Sequence, residues 1–279
     1  MTGILLALAA SLSWGFADFG AGVSSRRLPV ALVILTSQAA GLVFIALVVA
    51  IFRPDLPTGA QFAWGGLAGA IGVLGLASFY RGLEIGAMGI VGPISATGVV
   101  VPLAYGLARG ERPSTLQLVG VGLAIVGVIA ASLEKQVDTS GRRIGAGVGY
   151  ALLAALGFGG SLVALSKAAA GGALWAPLSM RAVGVPLILS AVLFLRPNVS
   201  GVRASWRLLI AVGVFDTSAN LLFGLATKHG LLSVVSVLAS LYPVILVALA
   251  RVLLHERIAQ HQLAGVAVAL GGVALISAG

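Results

Sequence analysis

The chain has 279 residues, of which 59% are hydrophobic and only 9% charged; its net charge is +9, it has no cysteine, and its mean hydropathy is +1.11. Soluble domains are about 45–50% apolar and about 25% charged, so this composition excludes a single water-soluble core. The lack of cysteine excludes a disulfide framework, a thiolate metal site and a cysteine nucleophile, and the positive balance, which in a soluble chain would suggest nucleic acid, falls almost entirely between apolar runs, where basic residues meet lipid head groups.

The first apolar run covers 3–23. Its start resembles a signal peptide, but no basic segment precedes it and the run continues through Trp14-Gly15-Phe16, so it reads as a first membrane helix. Further runs follow at 30–52, 61–80, 86–108 and 115–133, and then the longest hydrophilic stretch, 134–143. The second set lies at 144–166, 173–195, 207–227, 230–254 and 261–278. Charge or proline marks the boundaries, as in Arg26-Arg27-Leu28-Pro29, Arg53-Pro54-Asp55, Arg112-Pro113 and Arg196-Pro197. A bilayer core about 30 Å thick takes about 20 apolar residues per helix, so about ten spans use nearly the whole chain. None of the runs alternates like a barrel strand, which leaves helices, because lipid offers no partner to backbone polar groups. The expected fold is an all-α integral membrane protein of ten transmembrane helices.

The two sets resemble each other. Glu111-Arg112, Gln117-Leu118, Gly120-Val121, Ala124 and Gly127-Val128 recur as Glu256-Arg257, Gln262-Leu263, Gly265-Val266, Ala269 and Gly272-Val273, so nine of the eighteen positions from 111 to 128 repeat at an offset of 145. Thr36 to Gly41 aligns with Ser179 to Gly184 at 143, and Gly15-Phe16 with Gly157-Phe158 at 142. A duplication with a few insertions produces such a drift. The expected units are a first five-helix repeat at 1–134, a connecting loop at 135–143 and a second five-helix repeat at 144–279. Five is odd, so the two halves insert in opposite senses, the inverted repeat of many secondary transporters.

Trp14-Gly15-Phe16, the stretch from Tyr80-Arg81-Gly82 to Val91-Gly92-Pro93, Gly110-Glu111-Arg112, Tyr242-Pro243 and His255-Glu256-Arg257 resemble motifs of the drug/metabolite transporter superfamily, in its EamA-type ten-helix branch. The resemblance covers essentially the whole chain. It implies a multi-pass protein of a bacterial-type cytoplasmic (inner) membrane that moves small metabolites, often by export of amino acids or related compounds. It also implies that helices 4 and 9 line the path and that both termini face the cytoplasm. The basic residues point the other way: eleven Lys or Arg follow odd-numbered helices and five follow even-numbered ones, and the positive-inside rule would put the first set in the cytoplasm.

An ionisable residue at mid-span costs about 2.5–3.5 kcal/mol on insertion scales, as much as several leucines return, so each one needs a reason. Asp18 sits one turn after Trp14 and either lines a central cavity or reaches the head groups. Arg181 either snorkels or faces the cavity, and its counterpart in the first repeat is Gln38, also long and polar. Asp216 is too central and too short to snorkel; Arg181 is its obvious partner, and Asn220 follows one turn later. Asp216 or Asp18 is the candidate for proton coupling. Ser233, Ser236 and Ser240 form a polar stripe that ends beside Tyr242-Pro243, and Ser95 and Thr97 lie between Pro93 and Pro102. These serines either face the cavity or bond back to their own helix. Tyr80 and Tyr242 either contact substrate or anchor at the interface. Glu111-Arg112 and Glu256-Arg257 read as local, turn-closing ion pairs. The expected substrate-binding set is Trp14, Asp18, Gln38, Tyr80, Ser95, Arg181, Asp216, Asn220, Ser236, Ser240 and Tyr242.

His229, His255 and His261 lie at loop ends without metal-ligand spacing, and no cofactor is expected. The expected function is a non-enzymatic secondary transporter; the alternatives are an intramembrane enzyme and a structural membrane protein. The expected partners are a small-molecule substrate, with protons as a coupling ion, and the lipid bilayer, but not nucleic acid; a homodimer is a further expectation.

Overall fold

The computed structural model describes residues 1–85, 91, 94–132, 144–197, 202–253 and 259–279. The motif residues Gly92-Pro93, the 135–143 loop and His255-Glu256-Arg257 lie outside them. The helices are α1 (Thr2–Ser25), α2 (Val30–Phe52), α3 (Gly59–Ile85), α4 (Ile94–Ala108), α5 (Thr115–Ser132), α6 (Ile144–Ala169), α7 (Trp175–Leu195), α8 (Val202–His229), α9 (Leu232–Leu253) and α10 (Gln260–Ala278). Eight of them are long and apolar enough to cross a membrane, while α4 and α5 are shorter apolar helices. No strand occurs among the described residues. Large apolar side chains such as Leu5, Val43, Leu74, Leu156, Phe194 and Leu270 point outward, as a lipid-facing surface requires.

The packing repeats with the sequence. α3 lies along α6 as α8 lies along α1; α2 lies along α8 as α7 lies along α3; α5 pairs with α10. Exchanging each helix for its counterpart in the other half maps this set of contacts onto itself, as a pseudo-twofold axis between inverted halves demands. The helix ends agree. α2 stops at Arg53 (φ 43°) and α7 at Arg196 (φ 46°), both in the left-handed region, each followed by proline and each donating its amide to a carbonyl four residues back, of Val49 and Val192. These arginines are 143 residues apart, the offset of the aligned sequence around them.

Small residues let the halves come together. A Cβ at Gly213 of α8 would lie 2.9 Å from the amide nitrogen of Gly41 in α2, and one at Gly69 of α3 would lie 3.2 Å from that of Gly184 in α7. Gly41 corresponds to Gly184 and Gly213 to Gly69, so the same close crossing occurs twice. α5 and α10 meet through Gly120 against Gly272 and Gly127 against Gly265, where an added Cβ would approach a carbonyl oxygen to 2.5–2.8 Å. Without hydrophobic drive inside lipid, such backbone approach is what makes helix association favourable.

The fourth helix of each half is interrupted. α4 passes through a 3-10 turn at Thr97–Val99, and α9 breaks at Ser240 and Leu241 between Leu232–Ala239 and Tyr242–Leu253. Pro243 opens the second segment, where its missing N–H costs least. Irregular backbone at membrane depth persists where it is buried in protein or lines a cavity.

These contacts predict opposite outcomes for two glycines on one helix. Gly127→Ala forces backbone against backbone and should cost about 1–3 kcal/mol. Gly122→Ala, with nothing within 4 Å of the new methyl, should be neutral or stabilising by about 0.5–1 kcal/mol. Thermal unfolding of the two purified variants in detergent checks the contrast.

Candidate functional site

The site starts on α1. Ala7, Ser11, Trp14 and Asp18 are spaced four, three and four apart and share one face of the helix. Leu5, Leu12 and Phe16 occupy the opposite, exposed face. The inward stripe changes character along its length. Ala7 and Ser11 are buried, Trp14 is half-buried, and Asp18 is exposed although it points toward the bundle. One turn on, Gly22 has nothing within 4 Å of where a Cβ would sit. The centre is therefore open from the end of α1 near Ser25 and filled at the end near Met1. The filled end also holds the C-terminus: Gly279 lies against Ser114 and Leu116, and Gly3 against His229 and Gly230. It is called the termini face below.

At the floor of this opening the polar residues of α2, α7 and α8 meet. Arg181, on a side chain only 4% exposed, forms an ion pair from its Nη2 with Asp216 Oδ2. Its Nη1 donates to Gln38 Oε1 and its Nε to Thr217 Oγ1 at 3.3 Å. Gln38 Nε2 donates to Asp216 Oδ2 at 3.2 Å, and Trp14 Nε1 to Asp216 Oδ1 at 3.2 Å. Asn220 Nδ2 donates to the Asp216 main-chain oxygen at 2.7 Å. Gln38 and Arg181 are counterparts in the repeat, so the hydrogen bond between them sits on the pseudo-twofold axis. Asp216 breaks the symmetry, since the matching position of α3, at the offset of 144 that relates Gly69 to Gly213, is Gly72.

Aromatic rings flank the cluster. The Trp14 ring lies 6.0 Å from Phe223 and 6.5 Å, edge-on, from Tyr242. Asp18 lies in the neighbourhood of Tyr80, Tyr242 and Asp216. Trp14, Asp18, Gln38, Tyr80, Asp216 and Tyr242 are each at least partly exposed around this opening, while Arg181 and Asn220 are buried beneath it. Arg181 and Asp216 neutralise each other. Asp18 has no hydrogen-bond or ion-pair partner among the described residues, so its carboxylate faces the opening alone.

The serines sit elsewhere. Ser95 is buried and donates to the Val91 carbonyl at 2.8 Å, with the Ala151 carbonyl of α6 at 3.5 Å; Ser240 donates to Val237 at 2.8 Å. Ser236 is fully buried within Leu232–Ala239, a segment in which every residue is buried. Its hydroxyl has no partner among the described residues, nor have those of Ser233 and Ser11. An unpaired buried hydroxyl costs about 1–3 kcal/mol, so three of them on packed helices need an explanation.

Glu111 corrects the expectation of a local ion pair with Arg112. Its carboxylate reaches 121 residues along the chain and caps α9, with Oε1 accepting from the Leu232 amide at 2.8 Å and Oε2 from the Ser233 amide at 2.9 Å. Two of the four orphan amides of that helix are satisfied by a charge of the sign its dipole favours. A Cβ at Gly106 would lie 2.8 Å from the Glu111 carboxyl carbon, so glycine there leaves the side chain its room. The sequence reading also missed Thr217, a hydroxyl one residue from Asp216 with no other signal, and the placement of the Lys167 Nζ 4.7 Å from the Trp64 ring and 5.3 Å from that of Tyr105.

Ten apolar helices in two inverted halves, around an off-centre ion pair below an open polar hollow, define a multi-pass membrane protein of transporter architecture. The EamA-like transporter family matches residues 1–133 and again 145–278, and the chain belongs to that family. A solved crystal structure superposes with a TM-score of 0.81 at 17% identity, over 99% of this chain and 98% of that one, and it shares the fold. No curated protein matches.

The pairing makes a prediction for stability. Arg181→Ala leaves the partly buried Asp216 carboxylate without its cation and should cost about 3–5 kcal/mol. Arg181→Ala combined with Asp216→Leu should recover much of that loss. A double-mutant cycle from unfolding curves in detergent checks this, and additive effects would mean the two residues are not coupled.

Proposed function

We propose that the protein is a secondary transporter that carries a small polar or amphipathic metabolite across the cytoplasmic membrane of a bacterial-type cell by alternating access. The observation that carries this reading is the inward stripe of α1, buried at Ala7 and Ser11 and exposed at Asp18, above an ion pair that joins both halves of a duplicated bundle. A substrate entering there meets the rings of Trp14, Tyr80 and Tyr242, the free Asp18 carboxylate and the exposed edge of Asp216. Such a mixture of rings and charges suits an amphipathic molecule of amino-acid size. Family membership supports transport as the activity, and the resemblance favours export.

Coupling to protons fits the same residues. Asp18 has no counter-ion among the described residues, and a proton taken up there would remove one of two neighbouring negative charges. Arg181, held by Asp216, Gln38 and Thr217, positions the floor of the site and links α7 of one half to α2 of the other. Movement of the halves must rearrange that link.

The test is flux in proteoliposomes. Purified protein should move a metabolite that raises its thermal stability, without altering it chemically, and an internal pH dye should report linked proton movement. Asp216→Asn and Arg181→Ala should each reduce flux at least tenfold while protein still inserts and elutes as a folded species. Normal flux in both would remove this cluster from the mechanism.

A further inference from the structure

Resting on the transport reading, we propose that the hydroxyls of Ser11, Ser233 and Ser236 line the second half of the translocation path, which is dry and closed in this conformation, and that Glu111 is the latch that keeps it closed. Three observations converge. The hydroxyls are buried (Ser11 2%, Ser233 0% and Ser236 0% exposed) and have no hydrogen-bond partner among the described residues. Serine and threonine elsewhere in these helices usually bond back to a carbonyl three or four residues earlier, as Ser24, Ser25, Thr36, Ser166, Ser179 and Ser277 do, so the three exceptions are not a consequence of helical geometry.

Their positions are ordered. Ser11 lies on the same stripe of α1 as Asp18, seven residues nearer the termini face, about 10 Å along the axis. Ser240, Ser236 and Ser233 descend α9 in the same direction from the level of Tyr242, and α1 packs against the Leu232–Ala239 segment that carries the latter two. The series therefore runs from the open hollow through the plug. Beyond the plug, the termini face carries a cavity of about 180 Å³ lined in part by Gly3, Gln117, His229, Leu231 and Val234. Hydroxyls that find no partner when closed gain water or substrate when this end opens.

Glu111 stands where that opening must begin. It belongs to the first half of the chain, and the two amides it holds begin α9 in the second. Separation of α4 from α9 at the termini face breaks both bonds at once. The carboxylate thereby sets the balance between the two conformations without touching the central site.

The natural chain has no cysteine, so single-cysteine variants report access directly. Gly22→Cys marks the open hollow; Ser236→Cys and Ser11→Cys mark the closed half. In proteoliposomes with an impermeant maleimide on either side, Gly22→Cys should react rapidly and Ser236→Cys at least tenfold more slowly. Adding Glu111→Ala should accelerate Ser236→Cys and Ser11→Cys at least fivefold, with reagent on the termini side only, and slow Gly22→Cys. Glu111→Gln, which keeps one good acceptor and the side-chain volume, should fall between and serves if Glu111→Ala does not fold. Unchanged rates in a folded Glu111 variant would overturn the latch, as would acceleration at both ends together, which would mean general loosening. Rapid labelling of Ser236→Cys in otherwise natural protein would overturn the closed path. Labelling needs no substrate, so these outcomes are separate from a failure of flux.

Discussion

Arg181 is a cation held inside an apolar bundle, and the rest of the architecture can be understood from what that requires. A charge in that position persists only if it is paired and its donors are satisfied. Two helices supply the partners, Asp216 and Thr217 from α8 and Gln38 from α2, while α7 carries the arginine itself. Because α2 and α7 are counterparts, the network ties the two halves at their axis. Because Asp216 is matched by a glycine in the other half, the tie is one-sided. A pair of nearly equivalent bundles joined by an unequal link is the arrangement that the proposed alternating access requires.

The asymmetry between the two ends follows the same logic. At one end the stripe on α1 opens onto Asp18 and Gly22. At the other, eight consecutive buried residues of α9 fill the space, with Glu111 fixing the start of the helix. The cost of the three unpaired hydroxyls is set against the charge-assisted cap and the tight glycine crossings. A closed end stabilised in one place and destabilised in another is what the proposed alternation requires.

Much of this was legible in the sequence, for identifiable reasons. Span number followed from apolar length, and inversion from the odd helix count of a repeat visible in Glu-Arg-x4-Gln-Leu-x-Gly. Arg181, Asp216 and Gln38 stood out because polar residues in lipid are expensive. What could not be read were contacts set by tertiary approach. Glu111 lies beside an arginine in the chain, so a local pair was the natural expectation, yet its partners are amides more than a hundred residues away. Thr217 and Ser11 look like many other hydroxyl residues in membrane helices. Only their surroundings distinguish one that receives a guanidinium bond from one left without a partner. Ser95 shows the converse, a serine beside prolines whose hydroxyl is bonded to α-helical carbonyls rather than turned to the hollow.

The central claim is that the two ends open in alternation. Spin labels at Arg27 and Val252 span the open end, and labels at Arg109 and Lys228 span the termini face; all four side chains are exposed. Pulsed dipolar distance measurements on each pair in lipid nanodiscs should give two distances, with the fraction long at one end matching the fraction short at the other across a pH series. A single unchanging distance at both ends, or lengthening at both together, would contradict the account.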